Sequence, residues 1–260
     1  MSASENIYEQ DKLVQQYLLF HYGKPNELFE WSSVIDGITS SNSLNFPVQT
    51  AELAIKHFKL PKDNAPTRVL DIGCAVGRSS FELSVKFDQV LGIDYSQKFI
   101  DAALKLKQHS QIKYDFQVEG DIRQKTIAHV PEYAKKDRVQ FEHGDACNLP
   151  LKDLGQFDCV HAANLICRLP TPKKFLTDVK QILKKDGILV ITSPYSWFET
   201  FTPKSEWLGG YDEINGFDGL KQILLPGFDL IDEKNLPFLI RETRRKHELN
   251  ISHATVWRNK

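Results

Sequence analysis

The chain has 260 residues, 41% of them hydrophobic and 26% charged, with a formal net charge of −1. That length accommodates one α/β domain with a small addition, and a core that needs neither disulfide nor metal. The near-neutral charge disfavours a nucleic-acid binder, and no apolar run approaches the roughly 20 residues of a membrane span.

The opening "MSASENIYEQDK" has no basic-then-apolar signal pattern, so a cytoplasmic protein is expected. Residues 1–65 read as a helical cap that contributes to a substrate site, ahead of an α/β core at 66–260. In the cap, "YEQDKLVQQYLLFHYG" carries Leu13, Val14, Tyr17, Leu18 and Tyr22 at helical spacing until Gly23-Lys24-Pro25 breaks it. A second helix is expected over "FPVQTAELAIKHF".

From residue 68 onward, short apolar runs alternate with helical patterns. "RVLDIG" (68–73) reads as a buried strand, and Arg78 to Phe87 as a helix. "QVLGID" (89–94) is the next strand, after which Ser96 caps "QKFIDAALKLKQ". Residues 109–137 look like a polar, irregular excursion. "VQFEHGD" and "FDCVHAANLI" are further strands. Thr171-Pro172 opens the helix "KKFLTDVKQILKK", which Asp186-Gly187 is expected to stop. "GILVITSP" is strand-like, and "FDLIDEKNLPF" with "HATVWR" suggests a terminal antiparallel pair. Such alternation predicts a mostly parallel sheet with helices on both faces and an antiparallel edge. Cys74, Cys147, Cys159 and Cys167 fit no zinc or disulfide spacing and are expected to be reduced, largely buried thiols; no metal site is expected.

The sharpest local signal is Gly73-Cys74-Ala75-Val76-Gly77, a glycine turn directly after a strand. A phosphate-binding P-loop needs one more residue between its glycines and a lysine where Arg78 stands. A dinucleotide turn needs GxGxxG, and Ala75 occupies the middle position. A third reading is a cofactor without phosphate. The set "VLDIGCAVG", "VLGIDYS", "HGDACNLP", "FDCVHAANLI" and "LKKDGILVITSP" resembles the ordered motifs of class I S-adenosylmethionine (SAM) methyltransferases. The resemblance implies a Rossmann-like α/β fold with a seven-stranded sheet. It also implies SAM as cofactor and S-adenosylhomocysteine as by-product. Asp71, Gly73, Cys74 and Gly77 would form the turn around the cofactor. Asp94 and Tyr95 would address the ribose, Asp145 and Ala146 the adenine, and Asn164 the methyl-transfer point. Ala75 departs from the more usual glycine, and its methyl is expected to be tolerable if φ stays negative.

Outside the core, "LVQQYLLFHYG", "AANLICRL", "SPYSWFETFTPKSEWLGG" and "PFLIRETRRKHELNISHATVW" resemble the methyltransferase module of ovothiol biosynthesis, the 4-mercaptohistidine N1-methyltransferase part of ovothiol synthase. This resemblance runs from about residue 7 to 258. It implies N-methylation of the imidazole of 5-thiohistidine (4-mercaptohistidine) to ovothiol A, with an iron-dependent sulfoxide synthase as a separate or fused partner. No nucleic-acid or membrane partner is expected, and a free-standing or excised methyltransferase is.

Tyr17 and His21, four residues apart on one helix face, are candidates to hold the imidazole or accept its proton, with Tyr22 beside them. Tyr195 and Trp197 are candidates to wall the ring. Arg241 and Arg244, with Arg245, are candidates to grip a carboxylate. A packed aromatic face, a loop anchor and a solvated strand edge are the respective structural alternatives. Two other functions compete: a SAM methyltransferase for another small carboxylate-bearing metabolite, and a SAM-binding subunit without activity.

Overall fold

The computed structural model describes residues 7–35, 37, 42–61 and 65–260. The reading of residues 1–6, and parts of the proposed cap at 36, 38–41 and 62–64, lie outside the described residues.

The cap region holds α1 (Asp11–Tyr22), α2 (Pro25–Leu28) and α3 (Phe46–His57). The core follows as β1 (Arg68–Ile72), α4 (Arg78–Leu83), β2 (Gln89–Asp94) and α5 (Gln97–His109). A hairpin of β3 (Gln111–Glu119) and β4 (Ile122–His129) then stands apart from the main sheet. The chain returns through β5 (Val139–His143), α6 (Leu151–Leu154), β6 (Phe157–Ala163), α7 (Pro172–Ile182) and β7 (Leu183–Ser193). It ends with α8 (Gly216–Leu224), β8 (Phe228–Arg241) and β9 (His247–Asn259).

Seven strands form one sheet in the order β5-β2-β1-β6-β7-β9-β8. Strands β5 through β7 run parallel, whereas β9 is antiparallel to both β7 and β8. The Rossmann-like fold with an antiparallel edge is therefore borne out. Successive residues point to opposite faces, so Val69, Cys159 and Val190 pack on the side of α3, α4 and α5. Leu70, Val160 and Ile191 pack on the side of α7 and α8. Burial on both faces is why these strands read as continuous apolar runs.

Several local expectations are corrected. Residues 111–129 are an antiparallel hairpin with a bulge between Gln117 and Glu119, not an irregular excursion. Tyr114 and Phe116 bury their alternate face while most of β4 stays exposed, and that exposure made the segment look polar. Helix α4 stops at Leu83, where the Ser84 hydroxyl turns back to the Phe81 carbonyl. Helix α7 stops at Ile182, well before Asp186-Gly187, because Phe157 already pairs with Leu183 in the sheet. Ser96 does cap α5, its hydroxyl accepting from the Phe99 amide.

Strand order reverses between β1 and β6, and a crevice opens there above the carboxyl ends of the strands. Helix α3 packs against β6, β7, β8 and β9, while α1 packs against α5, the β3–β4 hairpin and β8. The second of these places α1 along one side of the crevice.

Candidate functional site

The crevice is a cleft of about 350 Å3. Its floor is the turn after β1, and Gly73 and Gly77 both adopt positive φ there (73° and 85°). A Cβ on Gly73 would meet the Leu165 side chain at 3.0 Å. One on Gly77 would meet the Phe141 ring at 2.6 Å, so that glycine serves close packing beneath the turn and does not line the cleft.

Ala75 overturns the expectation of negative φ: it stands at +49°. Its amide donates to Asp94 Oδ2 at 2.8 Å, and that bond holds the turn closed against the strain. An L-residue here costs roughly 1–2 kcal/mol. Ala75→Gly removes the strain but frees the unfolded chain, so stability should change by less than about 1 kcal/mol. Ala75→Val adds β-branching at positive φ and should lose at least about 2 kcal/mol. Urea midpoints for the two variants check this.

Asp94 ends β2 with both oxygens fixed by backbone donors, Ala75 N–H on one and Ser96 N–H on the other, each at 2.8 Å. Fixed in this way, the carboxylate keeps further lone pairs for two neighbouring hydroxyls. Burial in the cleft wall raises its pKa to about 6 against the pull of those amides, with Asp71 and Glu9 adding to the rise. Asp145 follows β5, with Oδ1 accepting from Cys147 N–H at 2.8 Å, and lines the cleft between Gly144 and Ala146. Tyr95 lies at the outer mouth beside His143, half exposed.

Asp71 lies under the turn. Its oxygens accept from Ser80 Oγ at 2.5 Å and pair with His161 Nδ1 at 2.8 Å, all in the buried core. Cys74 is buried beside both acids, and burial pushes its thiol pKa well up, which keeps it protonated. Asn164 follows β6 at φ +52°, with Oδ1 held by the hydroxyls of Thr192 (3.0 Å) and Ser252 (2.5 Å). Its amide nitrogen remains a donor at the switch point.

Tyr17 and His21 line the same cleft from α1. Tyr17 packs on Phe99 at 4.7 Å between ring centroids, and burial raises its pKa well above that of a free phenol. Burial, with Arg78 nearby, lowers the His21 pKa to about 3. Both side chains are therefore neutral at physiological pH, and His21 Nδ1 is buried without a hydrogen-bond partner among the described residues, which leaves it open to a ligand while its low pKa makes it a weak base.

The other expected substrate residues are not brought to this cleft. Tyr22 anchors the turn through its hydroxyl on the Val76 carbonyl. Tyr195 bonds His253, and Trp197 stacks on Trp207. Arg241 is buried at the end of β8, donating to the Glu27 carbonyl and pairing with Glu30. Arg244 also pairs with Glu30 and lies over Trp31. Conversely, Tyr8, Phe46, Phe99, Phe201 and Phe238 line the cleft although none was singled out as a site residue in the sequence, and Arg168, a minor candidate within "AANLICRL", joins them. They converge from separate segments, and only the fold unites them.

Among the described residues, the charged side chains lining the cleft are three carboxylates, Asp71, Asp94 and Asp145, and one guanidinium, Arg168. A pyrophosphate would be repelled there, whereas a sulfonium and an ammonium would be held. An acid at a strand end for the ribose, a tight turn for the methionine portion and a pocket by Asp145-Ala146 for the adenine suit SAM.

Comparison with known proteins agrees. Residues 70–191 match a family model described as a methyltransferase domain. The chain is 30% identical over 148 residues to the uncharacterized protein YmfD of Escherichia coli, covering 55% of this chain and 58% of that one. It is 23% identical over 186 residues to ajmaline N-methyltransferase of Rauvolfia serpentina, covering 70% and 53%. The chain spans about half the length of the curated relatives it matches, from 41% to 58%. The crystal structure of the N-methyltransferase NodS from Bradyrhizobium japonicum, in complex with S-adenosylhomocysteine, superposes with a TM-score of 0.53. That match has 14% identity and covers 95% of this chain and 98% of that one, so it speaks for the fold. The glycine turn, the strand-end acids and the sheet order accord with that match: segment 70–191 is similar to a methyltransferase domain, and the chain has the Rossmann-like methyltransferase fold.

Proposed function

We propose that this chain transfers the methyl group of SAM to an imidazole nitrogen of 5-thiohistidine, giving ovothiol A and S-adenosylhomocysteine. The resemblance of its variable segments to the ovothiol module supports the substrate. The observation that carries the reading is the pairing of an acidic cofactor cleft with an uncharged, aromatic wall on α1, at Tyr17 and His21.

SAM supplies an activated methyl on a good leaving group, so the protein's work is positioning and exclusion of water. Asp94 would hold the ribose, Asp145 the adenine, and the Gly73 turn the methionine portion. Tyr17 and His21 would orient the acceptor ring, with Asn164 at the transfer point. A neutral acceptor imidazole would offer its nitrogen lone pair to the methyl without a base, and the departing sulfur would keep the S–C pair. A neutral His21 does not repel the cationic product ring. The division of labour remains a cap at 1–65 and a core at 66–260, and a sulfoxide synthase is the expected source of substrate. The competing reading, another small carboxylate-bearing acceptor, uses the same core.

Purified protein given SAM with 5-thiohistidine, and with histidine as control, is assayed by mass spectrometry. Methylation of the thiohistidine ring alone is expected. Methylated histidine, or no product despite SAM binding, sinks this substrate. Tyr17→Phe should lower turnover about tenfold, equivalent to one hydrogen bond of about 1.4 kcal/mol, with SAM affinity within about twofold. Equal losses in both would make Tyr17 a packing residue.

A further inference from the structure

A second cavity of about 540 Å3 adjoins the cofactor cleft, and Tyr8, Tyr17, Arg168, Phe201 and Ile240 line both. Arg168 thus sits on the wall shared by the two spaces. Its Nη1 donates to the carbonyls of Cys167 (3.0 Å) and Ser196 (2.7 Å), and its Nη2 to Ser196 Oγ (3.1 Å). The guanidinium lies over Phe201 at 5.1 Å and Phe198 at 5.4 Å. Tyr8 interacts with it through its hydroxyl.

What is missing is an anion. Among the described residues Arg168 forms no ion pair; of the other cations lining the second cavity, Arg123 pairs with Asp115 and Arg241 with Glu30, Lys12 has no ion pair, and of its carboxylates Glu242 pairs with Lys246. Holding a half-buried guanidinium on neutral oxygens alone forfeits solvation without a countercharge. The two ring faces offset part of that cost and fix the orientation of the fork, so less entropy is lost when a partner binds.

We propose that Arg168 is the receptor for the carboxylate of the methyl acceptor and selects amino acids over the corresponding amines. This rests on the methyltransferase reading above but not on the identity of the acceptor ring. SAM carries a carboxylate too. Arg168 lines the second cavity as well as the cofactor cleft, and the acceptor's carboxylate is the one that would reach it from there.

The test compares 5-thiohistidine with its decarboxylated amine in the wild type, Arg168→Gln and Arg168→Lys, alongside SAM affinity by calorimetry. The wild type should prefer the acid by about 30-fold in kcat/KM, the worth of one charge-assisted pair. Arg168→Gln should erase that preference by raising KM for the acid, with SAM affinity within about threefold. Arg168→Lys should restore part of it, which a purely structural role for the Ser196 contacts would not do. If 5-thiohistidine is not a substrate, the same acid–amine comparison on whichever small amino acid is methylated tests Arg168 independently of that failure. A preference that survives Arg168→Gln, a wild type with no preference for any acid over its amine, or a loss confined to SAM affinity would each overturn the proposal.

Discussion

Asp94→Ala is expected to weaken SAM binding at least about 100-fold, the loss of two charge-assisted hydrogen bonds at roughly 1.5–3 kcal/mol each. The variant also releases the amides of Ala75 and Ser96, which Asp94 pins at 2.8 Å, so the strained turn should loosen. Asp94→Asn separates the two effects, since its amide oxygen still takes one backbone donor while the charge is gone. The wild type carries a pH signature. The Asp94 carboxyl has a pKa of about 6 in the free protein, and only its ionised form accepts from both ribose hydroxyls. SAM affinity should therefore be full near pH 7.5 and fall towards tenfold per unit below pH 6, with proton release on binding. For folding the sign is opposite. A carboxyl raised above its ordinary value costs the free fold stability at pH 7, and that cost disappears as pH falls through 6 towards 4. Calorimetry at pH 5, 6 and 7.5 decides: a flat profile, or unchanged affinity in Asp94→Ala, would remove Asp94 from the cofactor site.

The floor of this site was legible in the sequence, and its walls were not. Strands buried on both faces leave unbroken apolar runs, and each run here ends where the cleft begins: Ile72 before Gly73, Ile93 before Asp94, Ala163 before Asn164. The cap at Ser96 was equally plain, because one hydroxyl at one position satisfies one orphan amide. The β3–β4 hairpin was missed because one of its faces stays wet, so the alternation of Tyr114 and Phe116 competes with a polar background. The arginines near 241–245 show the deeper limit. Composition says that a cation is present, not which carboxylate reaches it first, and Glu30 comes from more than 200 residues away to claim both Arg241 and Arg244. Arg168, with no acid paired to it among the described residues, lies in "AANLICRL", where the local pattern made it only a minor candidate beside Tyr17 and Arg241.

Asp71→Ala is expected to be the most damaging single change to stability. Asp71 and His161 are 1% and 0% exposed, register-paired on adjacent strands and joined at 2.8 Å, and Ser80 closes the group from α4. The three side chains tie β1, β6 and α4 together beneath the glycine turn. Truncating Asp71 leaves an imidazole nitrogen and a hydroxyl buried without partners, and His161 Nε2 already has none among the described residues. Breaking such a pair by removing one member costs about 3–5 kcal/mol, a large share of the roughly 5–15 kcal/mol that holds a domain together. For a chain of this size the melting temperature should fall by roughly 10 °C. Asp71→Asn keeps an acceptor for His161, and Ser80 can rotate its hydroxyl to accept from the new amide, so its loss should be nearer 1 kcal/mol. Replacing His161 as well should cost less than the sum of the two single changes, because the second truncation removes a group that the first left unsatisfied. SAM affinity should decline with stability in this series, unlike Asp94→Ala, where binding is lost from a protein that still melts cooperatively. A wild-type melting point for Asp71→Ala, or strictly additive losses in the pair, would mean that the turn is held by the sheet alone.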